Sequence, residues 1–138
     1  MLRESLKNLK IRIRAEYDKI VKVKYPVLGE EIYFNAQGFY HLNYEVTGRA
    51  RTIAEQTYKL KLVPFIEGII KNATVVDEIR LEKAPIGRKK KNGKKVIKEV
   101  KYISIVGKVN TAPKKIKVIL RRVGNGRTIF WSVMKLKK

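Results

Sequence analysis

The chain contains no cysteine and only one histidine and one tryptophan among its 138 residues. Without cysteine, disulfides and thiolate metal sites are excluded, and the redox compartment stays undetermined. Acidic side chains are scarce, 12 Asp+Glu against 33 Lys+Arg, for a net charge of +21. No stretch approaches the roughly 18 apolar residues of a membrane span. The opening MLRESLKNLKIRIRAEYDK lacks the apolar core of a secretory signal, and Glu4, Glu16 and Asp18 argue against a transit peptide. A cytoplasmic protein without a membrane partner is expected. The phosphate-binding loop G-x-x-x-x-G-K-[ST], the G-x-G-x-x-G fingerprint, the G-x-S-x-G elbow and the H-E-x-x-H zinc motif are all missing. One histidine and scattered carboxylates offer little to a catalytic metal, so neither metal nor cofactor is expected.

What is present is basic charge, unevenly placed. Residues 1–83 carry 15 basic and 11 acidic side chains; residues 84–138 carry 18 basic and one acidic, Glu99. Such an excess in one half favours a polyanionic partner, and nucleic acid is the expected one. The length is that of one domain, and a hydrophobic content of 44% is enough for a packed core.

Leu2, Leu6, Leu9, Ile13, Tyr17 and Ile20 recur at helical spacing and predict an amphipathic helix over about 3–23, ended by Pro26 and Gly29. Ile32–Phe34 read as a short strand, and FYHLNYEV as a short helix or an extended segment. A second helical stretch covers about Arg51–Lys71, with Pro64 suggesting two helices meeting near Val63. The remainder reads as β: TVVDEIRLE within 74–83, alternation over 96–109, then Ile116–Val123 and Arg127–Leu136 joined by Gly124-Asn125-Gly126. The expected fold is a single α+β domain, residues 1–138, with N-terminal helices on one face of a roughly four-stranded antiparallel sheet.

Three groups carry candidate chemistry. The loop at 84–95 gathers Arg88, Lys89, Lys90, Lys91, Lys94 and Lys95, suited to phosphate contacts that add affinity without base specificity. The last two strands offer Lys117, Arg121, Arg122, Arg127 and Trp131, a mixture of cations and an aromatic that can hold phosphate and stack a base. Trp131 serves core packing equally well. His41, the only imidazole, is a natural general acid or base, or a structural histidine; Arg49, Arg51 and Arg80 are arginine forks suited to phosphate.

The succession EIYFNAQGFYHLNYE, a helical region opened by Arg49 and Arg51, and a basic meander ending TIFWSVMKL resembles the phage-associated branch of the Barnase–EndoU–colicin–RelE nucleases, from about Ile32 onward. The resemblance implies a toxin or phage effector that cleaves RNA without metal, the ribose 2′-hydroxyl attacking the adjacent phosphate. It implies His41 as acid or base, Arg49 or Arg51 on the scissile phosphate, and Thr128 and Ser132 positioning it. An acidic inhibitor protein would be a further partner. The chain departs from the barnase pattern in having no clear catalytic Glu beside the histidine, which leaves the base and acid unassigned. A non-catalytic module binding RNA or DNA needs only the charge and the aromatic sheet face.

Overall fold

The computed structural model describes residues 4–87, 93–109 and 115–136. Helix α1 spans Leu6–Ile20, capped by the Ser5 hydroxyl, which accepts from the Asn8 amide at 3.1 Å. Its buried residues Leu9, Ile13 and Tyr17 are four apart, one face of the helix, while Arg12 and Arg14 pair with Glu4, Glu16 and Asp18 on the solvent side. The helix is shorter than the expected 3–23. Val21 takes a left-handed backbone (φ 57°), and the chain turns directly into strand β1, Lys22–Tyr25. A turn at Pro26–Gly29 returns it as β2, Glu30–Tyr33.

Helix α2, Ala36–Asn43, follows at once, its N-cap Asn35 accepting from the Gly38 amide. Helix α3 spans Ile53–Asn72, with Thr52 accepting from the Glu55 amide. It is one helix, not two meeting near Val63: Pro64 lies inside it, and burial of Leu60, Leu62, Val63, Ile66, Ile69 and Ile70 outweighs the missing backbone bond. Strands β3 (Glu78–Ile86), β4 (Val96–Lys108), β5 (Lys115–Val123) and β6 (Thr128–Lys135) complete the chain.

Among the described residues the sheet has six strands in the order β1-β2-β6-β5-β4-β3. The expected four-stranded antiparallel meander is there as β3 to β6. It is extended by the β1–β2 hairpin, whose second strand runs parallel to β6 through the pairs Ile32↔Thr128 and Tyr33↔Ile129. The sheet is therefore mixed and six-stranded, because four-residue strands such as KVKY bury enough side chain only when the rest of the sheet is beside them.

The helices cover one face of the sheet. Ile32, Ile103, Ile105, Ile116, Val118, Leu120, Phe130 and Val133 face α1 and α3 in a single core. Two glycines mark close approaches. A Cβ on Gly107 would fall 2.5 Å from Ile69 of α3, and one on Gly38 would fall 2.5 Å from the Tyr17 hydroxyl and 2.6 Å from the Phe130 carbonyl. Helix α2 is thus laid directly on the flank of β6, where β2 has ended.

Candidate nucleic acid site

Strand β6 carries an irregularity that shapes the site. Ile119 pairs with Ser132, but Leu120 pairs with Phe130, so Trp131 is an extra residue in a β-bulge. A bulge re-aims its side chain and breaks strict alternation. Phe130 and Val133 can therefore both face the core, while Trp131 is turned toward α2.

His41 of α2 meets it there. The imidazole and indole centroids lie 3.8 Å apart with planes inclined by 46°, and His41 is 7% exposed. Tyr40 stands edge-on to the imidazole at 6.0 Å and stacks on Tyr44 at 4.5 Å. On the sheet side, the Arg121 guanidinium lies 4.1 Å from the Trp131 ring centre. Among the described residues its buried Nε has no hydrogen-bond partner, a donor that costs free energy until an acceptor meets it.

On the helix side, Arg51 donates from Nε to the His41 carbonyl at 3.0 Å. Its Nη1 is 3.5 Å from Glu55. Gln56 donates to the Arg51 carbonyl at 2.6 Å, so the start of α3 holds this arginine in place. Burial lowers the His41 pKa below its ordinary value, and the positive charges of Arg51 and Arg121 lower it further. A hydrogen bond to the Tyr44 backbone opposes both. The balance keeps His41 neutral at pH 7 and able to accept a proton.

Lys59 is a further component. It is 4% exposed and donates to the Val133 carbonyl at 2.6 Å, tying α3 to the bulged strand. Burial, aided by Arg51 and opposed by Glu55, brings its pKa down to about 8. Sequence reasoning missed it, although it occupies the apolar stripe of α3 between Gln56 and Val63, where a lysine is anomalous.

The sheet face turned away from the helices continues this chemistry. One ladder of paired residues crosses all six strands: Lys22, Tyr33, Ile129, Arg121, Tyr102, Arg80. Arg80 lies 4.9 Å from the Tyr102 ring centre, Arg121 lies 5.8 Å from the same ring, and Arg127 lies 4.3 Å from Tyr33. Guanidinium planes held against rings are pre-oriented for phosphates and for base faces. Tyr33 and Tyr102 were not singled out from sequence, since their juxtaposition with arginine appears only once strand register is known.

The residues expected from sequence divide clearly. His41, Arg51, Arg121 and Trp131 come together, and Ser132 lies next to Trp131 in the bulge. Arg49 is exposed in the turn at 45–49, whereas Arg51 donates to the His41 carbonyl, so Arg51 is the arginine beside His41. Thr128 is buried on the helix-facing side, about 10 Å along the strand from Trp131. Its hydroxyl donates to Glu30, which Arg122 also approaches at 3.5 Å. Lys117 shares the open face with Arg121. Lys94 and Lys95 are exposed ahead of β4, and Arg88, Lys89, Lys90 and Lys91 lie outside the described residues. Among the described residues no three His, Asp or Glu side chains form a metal-holding group, and no helix is long and apolar enough to cross a membrane.

No curated protein and no solved structure matches the chain. Residues 4–130 match the model of one family, from just ahead of α1 into the bulged strand that carries Trp131. The chain belongs to the family described as large polyvalent protein-associated domain 3.

Proposed function

We propose that the domain is a metal-independent endoribonuclease centred on His41. The observation that carries this reading is a buried imidazole packed on the Trp131 ring, with Arg51 bonded to the His41 carbonyl and Arg121 over Trp131, their charges holding its pKa below the ordinary value. In the reaction, His41 accepts the proton of a ribose 2′-hydroxyl. The 2′ oxygen bonds to the adjacent phosphorus as the bond to the 5′ oxygen breaks, and that oxygen leaves protonated by water. A 2′,3′-cyclic phosphate and a 5′-hydroxyl end result. The two guanidinium groups stabilise the charge that grows on the non-bridging oxygens, in a partly buried site where such stabilisation is strongest. A site that gathers positive charge around a base also lowers the base's pKa, which is the condition His41 shows.

Membership in a family tied to large polyvalent proteins is in keeping with a phage effector or toxin, for which an acidic inhibitor is the natural partner. The test is incubation of the purified protein with total RNA in EDTA. Cleavage leaving cyclic phosphate ends, abolished in His41→Ala, supports the reading. RNA that stays intact, or cleavage that disappears only with EDTA, refutes it.

The low exposure of His41 supports a second reading, a non-catalytic RNA- or DNA-binding module acting through the cationic and aromatic sheet face. It is recognised by binding that weakens steeply with salt and is unaffected by His41→Ala, with no turnover.

A further inference from the structure

Beside the His41 centre, and sharing Arg121 with it, a pocket of about 540 Å³ opens between the start of α2 and the open face of the sheet. We propose that this pocket seats one unstacked base of a single-stranded RNA, next to the nucleotide held at His41. The inference deepens the ribonuclease reading and takes from it that the ligand is RNA with a nucleotide at His41.

The lining divides by chemistry. Phe34, Val123 and Ile129 give an apolar floor, the surface a base face requires. Asn35 and Gln37 bring amide groups to the lining: Gln37 offers both donor and acceptor to a base edge, and Asn35, whose Oδ1 caps α2, offers its Nδ2 donor. Arg121 and Arg127 supply positive charge for the flanking phosphates. Tyr33 stands beneath Arg127, 4.3 Å from guanidinium to ring centre, so that wall is a flat plate. Its hydroxyl is fixed by donating to Glu31.

A base inside a duplex cannot enter such a pocket without leaving its stack, whereas a single strand splays its bases freely. The pocket therefore selects single strands. Two of the cations around it, Arg121 and Arg127, lie on aromatic rings, which orients them before any ligand arrives.

The test uses a short single-stranded oligonucleotide with 2′-O-methyl riboses, which no 2′-hydroxyl attack can cleave, carrying 2-aminopurine at successive positions. Fluorescence titration of the whole protein should show one position quenched on binding. Tyr33→Ala and Arg127→Ala should each restore that emission and weaken binding roughly tenfold. Gln37→Ala, at an exposed helix position that leaves the fold intact, should weaken preference among bases at that position. A blunt duplex of equal length should bind more weakly than the single strand. Equal binding of duplex and single strand, or quenching indifferent to all three substitutions, overturns the proposal. Cleavage of natural RNA is scored separately with the same variants. Pocket quenching without cleavage removes the nuclease reading and keeps the pocket; cleavage with no pocket effect does the reverse.

Discussion

His41 and Trp131 lie in van der Waals contact, 3.8 Å between ring centres, although one sits on an N-terminal helix and the other in a bulge of the last strand. The proposed chemistry depends on this meeting. His41→Ala should lower RNA cleavage by roughly 100-fold or more while binding of uncleavable RNA persists, as measured by single-turnover assays and titration. Cleavage that survives the substitution moves the base to another residue.

The titration of His41 gives a second expectation. Its folded pKa is below the ordinary 6.5, so cleavage should fall on acidification only below pH 6.5, as the imidazole takes up its proton. Arg51→Gln removes one of the charges responsible and should shift that limb upward. A pH–rate profile on both proteins, with the His41 proton resonance followed by NMR, checks the direction. An unmoved limb in Arg51→Gln separates the two groups electrostatically.

Lys59 imposes a pH dependence on stability. Its folded pKa of about 8 lies below the ordinary 10.5, so between these values the unfolded chain binds more protons than the folded one. Stability should therefore rise with pH from about 8 toward 10, before the buried tyrosines, whose pKa values are raised, begin to oppose it. Below pH 8 both states are protonated and the penalty for burying the charge is present in full. In Lys59→Met the rise should be much smaller, as read from chemical denaturation at several pH values. An equal rise in both proteins would assign it to relief of general charge repulsion.

The two glycines Gly38 and Gly68 should respond in opposite directions. Gly38→Ala forces a Cβ against Tyr17 and the Phe130 backbone and should cost about 1–3 kcal/mol, with α2 displaced and cleavage reduced as well. Gly68 lies within α3, with no atom closer than 4.0 Å to the added Cβ, so Gly68→Ala should stabilise by about 0.5–1 kcal/mol and leave cleavage unchanged. Thermal melts and a cleavage assay on the pair decide it.

Thr128 should prove structural. Thr128→Val leaves Glu30 without its hydroxyl donor and should cost about 1 kcal/mol while the cleavage rate of the folded protein is kept. A selective loss of rate would return Thr128 to the phosphate.

Much of this arrangement was legible in the residue pattern, and the exceptions have specific causes. The meander β3 to β6 announces itself through alternation and through Gly124-Asn125-Gly126, because hairpin signals are local. Strand β1 was hidden because Val23 falls three residues after Ile20 and continues the apolar spacing of α1, and the break falls at Val21, a β-branched residue that carries no turn signature. The parallel pairing of β2 with β6 joins Ile32 to Thr128, and no local pattern reports a partner so distant in the chain. The histidine, Arg51 and Trp131 were visible as residue types; that Arg51 and not Arg49 reaches His41 depends on the turn at 45–49. The bulge that brings Trp131 to His41 is an offset of one residue in pairing and leaves no mark in composition.

On the proposed function, the parallel pairing of β2 with β6 also governs when a nascent chain could cleave RNA. Ninety residues separate His41 from Trp131, some seconds of synthesis at about 5–20 residues per second. Until β6 emerges, β2 has only β1 beside it, α2 lacks the flank it packs on, and His41 lacks Trp131. A ribosome making such a domain is thus spared the finished centre while most of the chain is still being added. Two separately produced pieces divided ahead of β6 would be inert apart and competent only on reassociation.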